Sequence, residues 1–203
     1  MIHSQDRSGY FGASDTSYVL RDNHQTVSWK KFWNEKLGGI SQSNLSFAMK
    51  CGNAYEHAIL DAIDPNIEKD GQIIIQDKLI RVNYDGYKDG IIYEAKTKFR
   101  GEDGAYKMTI DHWRQCQVEM YVYQEMCDQW FLPPFKKLYL VSYSLYETDR
   151  QKVSDGLEIT ADDIDPNRIN MEEVKYDKKF INKEYLKRVE RLAKALRKGK
   201  FPA

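Results

Sequence analysis

Apolar residues recur along the chain in two rhythms. Between residues 28 and 37, Trp29, Phe32, Trp33 and Leu37 follow the three-to-four spacing of a helix, and Gly38-Gly39 supplies its stop. Residues 44–63 repeat the pattern with Leu45, Met49, Ala54, Ile59, Leu60 and Ile63, ending at Asp64-Pro65, where the position before proline is pushed out of helical space. A third helix is predicted over 109–127, started by Thr109 or Asp111, and a fourth over 179–196, basic on its polar side. Segments 72–75, 79–84, 91–97 and 137–145 are rich in β-branched and aromatic residues and read as strands. Asp89-Gly90 is a favoured type I′ pair, so 79–84 and 91–97 flank a β-hairpin. Residues 7–20 form a glycine-punctuated loop running into a short helical stretch, with Ser14 or Asp15 as the expected N-cap. The charged, glycine-bearing 99–106 reads as a mobile loop, Phe131-Leu132-Pro133-Pro134 as a break, and 149–169 as a polar turn region with little pattern. Helices and strands interleave without a repeat or linker, which predicts a single domain over 1–203 of α/β (α+β) class.

Composition narrows the setting. With 41% hydrophobic and 13% aromatic residues the chain can build a core, and no run of 18 apolar residues exists to span a membrane. The polar start Met1-Ile2-His3-Ser4-Gln5-Asp6 lacks an apolar signal core, so a cytoplasmic protein is expected. Cys51, Cys116 and Cys127 are widely spaced, with no Cys-x-x-Cys pair, and read as buried thiols rather than zinc or iron–sulfur ligands. Net charge is zero, yet Lys96, Lys98, Arg100 and Lys107 bracket the hairpin and 187–200 is strongly basic.

The hairpin carries the candidate chemistry. With Asp89-Gly90 as the turn, Lys88 faces Ile91, Gly86 faces Tyr93 and Asp85 faces Glu94. Alternation then puts Asp85, Glu94 and Lys96 on one face. Like charges opposite one another are destabilising by about 0.2–1 kcal/mol. A divalent cation would neutralise them, and carboxylate oxygens with open water positions suit Mg²⁺ or Mn²⁺. The same residues also fit a solvated hairpin in which Lys96 simply pairs with Glu94. On the helix over 44–63, Gly52 and Glu56 share a face, so a partner element can approach beside the carboxylate. On the helix over 109–127, Gln115 and Gln117 point about 200° apart, so only one can face the carboxylates, and Gln117 shares its face with Tyr121.

In order along the chain stand Arg7-x-Gly9 with Ala13-Ser14, Gly52-x-x-Tyr55-Glu56, Asp85-Gly86, Glu94-x-Lys96 and Gln115-x-Gln117. This succession resembles the PD-(D/E)xK nuclease superfamily, and within it the λ exonuclease-type, YqaJ-like viral recombination exonucleases. It covers residues 7 to about 124; the proline usual before the motif aspartate is replaced by Tyr84, and no motif matches beyond 145. The resemblance implies a restriction-endonuclease-like core, a central mixed β-sheet flanked by helices. It implies that Asp85, Glu94 and the Ala95 carbonyl hold Mg²⁺ (or Mn²⁺), with Glu56 directly or through water. Lys96 would serve the attacking water or the transition-state charge. Arg7 and Ser14 match a 5′-phosphate pocket, with Tyr121 on the DNA side. Alignment to the λ type selects Gln115, whereas the spacing of RecB-like relatives selects Gln117 with Tyr121.

The function so implied is a metal-dependent 5′→3′ exonuclease acting on double-stranded DNA ends. It leaves a 3′ single strand for an annealing protein, and a ring-shaped homo-oligomer is implied with it. The alternatives are a RecB- or Cas4-like nuclease of other polarity or strand choice, and a non-catalytic DNA-end binder on a nuclease fold, against which the intact Asp85, Glu94 and Lys96 argue.

Overall fold

A computed structural model describes residues 8–39, 45–99 and 106–202. Five strands form one sheet: β1 (Glu68–Ile75), β2 (Ile80–Lys88), β3 (Ile91–Phe99), β4 (Lys137–Leu145) and β5 (Ile169–Val174), in that spatial order. All neighbouring strands are antiparallel except β3 and β4, which run parallel over their full lengths. A parallel pair needs a crossover, supplied by the helix Ile110–Met126. The sheet is therefore mixed, as expected.

Helices cover both faces. They are α1 (Thr16–Val19), α2 (Val27–Lys36), α3 (Phe47–Ile63), α4 (Ile110–Met126), α5 (Glu147–Ser154), α6 (Lys178–Phe180) and α7 (Leu186–Arg197), with a π-turn Ile181–Tyr185 joining the last two. On one face α3 buries Cys51, Tyr55, Ala58, Ile59 and Leu60 against Tyr93, Val141, Tyr143 and Leu145. On the other, α4 and α7 pack with Trp29, Trp33, Val82, Tyr84, Ile92, Leu138 and Leu140. Ser46, Thr26 and Thr109 cap α3, α2 and α4 by accepting backbone amides with their hydroxyls.

Three expectations need correction. The stretch 149–169 is not turn alone: α5 occupies its beginning and two 3₁₀ turns follow, with β5 opening at Ile169. Its hydrophobic signal is weak because ionic contacts organise it. Arg168 pairs with buried Asp149 at 2.6 Å, its guanidinium packs over the Tyr143 and Tyr146 rings, and the Tyr55 hydroxyl reaches the same carboxylate at 3.2 Å. At the N-terminus Asp15 does stand at the N-cap of α1, one of the two expected positions, but the side-chain cap is missing. The 3₁₀ turn Ala13–Asp15 starts after Gly12, and Asp15 reaches back to the Gly12 amide at 2.7 Å while pairing with buried Lys36. Leu45, which precedes α3, and Met49 on it are exposed rather than core, because the buried stripe follows Cys51, Tyr55 and Ile59. Arg7 and nearly all of the loop predicted over 99–106 lie outside the described residues.

The hairpin forms with the expected turn. Asp89 and Gly90 both have positive φ, 51° and 83°, as a type I′ turn requires. Lys88 pairs with Ile91 and Gly86 with Tyr93, and the Gly90 carbonyl accepts the Lys136 amide at 2.8 Å. A Cβ on Gly90 would stand 2.1 Å from the Pro134 carbonyl oxygen. Gly90→Ala is expected to destabilise the fold by about 1–3 kcal/mol through backbone strain and this collision. A lower urea midpoint at unchanged slope would show it; an unchanged midpoint would mean the turn is not tightly held.

Candidate active site

Asp85 marks the point where β2 leaves β3. The ladder between them ends at Gly86 and Tyr93, although β3 continues to Phe99 alongside β4. Sidedness also changes there: Tyr84 packs toward α4, whereas Gly86 lies against Ile67 and Leu60 on the α3 face. In β1, Asp70 between the paired residues Lys69 and Gly71 has φ +57°, a second sign of local distortion. Asp85 is therefore not simply cross-paired with Glu94, as ideal hairpin geometry predicts. Its Oδ2 accepts the Ala95 amide at 2.8 Å, replacing a missing ladder bond with a side-chain one. The carbonyl of Ala95 points to the same edge as its N–H, into the fork between the strands.

Carboxylates gather in this fork around one ammonium group. Glu94, 1% exposed, accepts Lys96 Nζ and, at 2.5 Å, Gln115 Nε2 through the same oxygen, Oε1; its Oε2 is buried with no partner. Burial, then Glu94, pushes the Asp85 carboxyl well above the usual carboxylate range, while Lys96 and the Ala95 amide pull it down less strongly. Glu56, half-buried on α3, is raised by burial and by Glu94. Burial alone would drag the Lys96 ammonium down, but Glu94 and Asp85 outweigh it and hold the group above its ordinary value. Tyr106 and His112 flank the cluster as a stacked, hydrogen-bonded pair. Burial raises the phenol to about 12 and, with Lys96, lowers the imidazole.

One fully buried carboxylate in the cluster carries no motif. Glu119, 0% exposed on α4, accepts Gln115 Nε2 at 2.9 Å; burial, then Glu94 and Asp85, pushes its carboxyl well up. The available signal was its position one helical turn after Gln115, which puts both on one face.

The two glutamines part as helix geometry requires. Gln115 faces Glu94, whereas Gln117 is wholly buried elsewhere, donating to the Lys175 carbonyl at 2.9 Å and accepting the Asp177 amide at 2.6 Å. Tyr121 follows Gln117 away from the fork: it is 4% exposed in the α7-side core, its hydroxyl 3.5 Å from Glu125. The expected placing of Gln117 and Tyr121 toward catalysis and DNA is thus corrected, because their face of α4 is spent on packing. Ser14 lies exposed on the 3₁₀ turn that packs against α4 and β2. Gly52 faces Thr97 of β3, with room for a Cβ at 3.5 Å, so the approach of the two elements is less close than a glycine would permit.

The donor set fits a hard divalent cation. Its oxygens come from Asp85, Glu94 and the Ala95 carbonyl, the repulsion recorded in the raised carboxyls calls for positive charge, and Glu94 Oε2 is a buried acceptor without a donor. Glu56 belongs to a second arrangement as well: ligand atoms of Glu56, His57 and Asp70 lie within 4.8 Å of one another.

A carboxylate raised in the folded state stabilises at low pH and loses that contribution as pH climbs from its unfolded value of about 4 through its folded value. In EDTA the melting temperature of the wild type should therefore fall relative to Asp85→Asn between pH 5 and 8. The comparison removes the opposite contribution of His24 and His112, whose lowered values favour stability as pH rises. Mg²⁺ should restore more stability to the wild type at pH 8 than at pH 5. Parallel melting curves for the two proteins would refute the charge crowding.

No family model matches the sequence, and no curated protein matches it. Solved structures are similar in fold. An alkaline exonuclease (LHK-Exo) from Laribacter hongkongensis superposes with a TM-score of 0.57 at 15% identity, over 94% of this chain and 92% of that one. The same enzyme in complex with dAMP gives 0.62 at 17% identity, over 94% and 89%. A phage related exonuclease from Haemophilus somnus 129PT gives 0.59 at 13% identity, over 93% and 95%. The chain, from end to end of its five-stranded mixed sheet, has the fold of these exonucleases.

Proposed function

We propose that this protein is a metal-dependent DNA exonuclease that degrades one strand of linear duplex 5′→3′ from 5′-phosphorylated ends. The observation that carries the reading is the convergence of Asp85, Glu94 and Lys96 at the fork of β2 and β3, on a sheet shared with exonucleases. Asp85, Glu94 and the Ala95 carbonyl would hold Mg²⁺ or Mn²⁺, with Glu56 reaching it directly or through water. Bound there, the ion would act as a Lewis acid on the scissile phosphate and ease deprotonation of water.

The chain's own groups supply the rest. Lys96, anchored by Glu94, can orient the attacking water and offset charge gathering on the phosphoryl oxygens. Gln115 keeps Glu94 in place. Arg7 and Ser14 would receive the 5′-phosphate, which sets the polarity; the product is a 3′ single strand of the kind an annealing protein takes up. The basic 187–200 stretch offers phosphate contacts, since α7 buries Val189, Leu192, Ala193 and Leu196 and turns Lys187, Arg191 and Lys194 outward.

Linear duplex carrying 5′-phosphates should be digested with Mg²⁺, while covalently closed circles survive. Cutting of the circle would refute the exonuclease reading, and tight end binding without digestion would favour a binder.

Asp85→Ala should lose both Mg²⁺ binding and turnover. Lys96→Ala should keep Mg²⁺ binding but lose turnover by roughly 10²-fold or more. Calorimetric Mg²⁺ titration checks the pair; unchanged binding in Asp85→Ala would remove that residue from the ligand set.

A further inference from the structure

The proposed chemistry leaves Glu119 without a task, although its burial is costly. An acidic group taken wholly out of water in a crowd of other acids is a poor choice for packing, where leucine or methionine would serve. Glu119 Oε2 is also buried with no partner, like Glu94 Oε2, so the side chain is not retained for a complete hydrogen-bond set of its own. What it does hold is Gln115.

A glutamine amide nitrogen carries two hydrogens, and both are committed here. Gln115 Nε2 donates to Glu94 Oε1 at 2.5 Å and to Glu119 Oε1 at 2.9 Å. Glu94 Oε1, which also receives the Lys96 ammonium, accepts, so the NH₂ end of Gln115 faces the acids and its carbonyl end points away from them. Gln115 is only half-buried, and its Oε1 is not among the buried polar atoms without a partner. Its carbonyl oxygen therefore keeps contact with solvent beside the acids. One acid alone would leave the second N–H free and the amide able to rotate; the pair fixes it. Glu119 can do this because it follows Gln115 by one helical turn, and the Tyr84 hydroxyl donates to the Glu119 carbonyl at 3.0 Å, pinning that turn of α4 to β2.

We infer that Glu119 is a positioning residue that, together with Glu94, locks the Gln115 amide with its carbonyl oxygen turned away from the acids, toward the mouth of the fork. There it is a fixed hydrogen-bond acceptor for the water that attacks the phosphodiester. The second half of this statement rests on the nuclease reading; the first does not.

The two halves are tested separately on the full chain. In ¹⁵N-labelled protein in EDTA, the Gln115 side-chain NH₂ pair is assigned by its disappearance in Gln115→Ala. It should lie outside the cluster of exposed glutamine signals and exchange slowly with water. Glu119→Gln, which keeps an acceptor oxygen, should leave the pair nearly unmoved. Glu119→Ala should bring it into the exposed cluster. Should Glu119→Ala fail to fold by thermal melting, Glu119→Met fills the volume without an acceptor and takes its place.

In Mg²⁺, the variant lacking the acceptor should lose roughly ten- to a hundredfold in kcat. KM for linear duplex and calorimetric Mg²⁺ affinity should stay close to wild type, and Glu119→Gln should recover most of the rate. Unmoved Gln115 signals in Glu119→Ala would overturn the proposal. So would loss of Mg²⁺ affinity in step with kcat, which would make Glu119 a ligand, or equal damage from Glu119→Gln and Glu119→Ala. An inactive wild type would sink the nuclease reading, while the amide signals would still decide whether Glu119 sets Gln115.

Discussion

The molecule is built around an electrostatic imbalance: among the described residues, Glu56, Asp85, Glu94 and Glu119 converge on one ammonium group, that of Lys96. Such a crowd is tolerable only if the backbone holds the acids together more firmly than their repulsion drives them apart. Two rigid elements do this. β3 is paired along its whole length with β4 and cannot drift, and α4 is buried over Cys116 to Tyr123, so its turn bearing Gln115 and Glu119 is fixed against the sheet. The remaining element, β2, is the one that yields. Its ladder to β3 opens at Asp85, and the released Ala95 amide is satisfied by the Asp85 carboxylate.

This exchange of a backbone hydrogen bond for a side-chain one links fold and site. A regular hairpin would carry Asp85 and Glu94 as a cross-strand pair on a continuous ladder, with every backbone group consumed. Opening the ladder frees the edge of β3 at Ala95 and leaves a fork lined by oxygen donors. The local costs are visible nearby, in the positive φ of Asp70 and in the unpartnered Oε2 atoms of Glu94 and Glu119. Two unpaired carboxylate oxygens buried side by side near a strained residue fit a site kept for chemistry rather than for stability.

Away from the fork the same kinds of groups are fully paired. Asp149 is buried like Glu119 but meets Arg168, Tyr55 and the Tyr146 amide, and its carboxyl is held below the usual range by Arg168 despite its burial. Asp15 is buried against Lys36 and the Gly12 amide. These pairs hold the N-terminal turn and the 149–169 segment in place. The contrast between satisfied and unsatisfied acids separates carboxylates that hold the fold from those that the proposed cation and substrate would use.

Much of this was legible in the sequence because it depends on local rules. The Asp89-Gly90 turn set the register at Lys88, Gly86 and Tyr93, strand alternation put Glu94 and Lys96 on one face, and helix periodicity required Gln115 and Gln117 to diverge. What alternation cannot express is a strand that changes sides: the break at Asp85 arises from packing of Tyr84 under α4 and Gly86 under α3, contacts distant in sequence. Which glutamine faces the acids, why Tyr121 is core, and that Glu119 joins the cluster were likewise decided by how α4 is rotated against the sheet. Local periodicity fixes which residues share a face. Only the burial of one face against the rest of the chain decides where that face points.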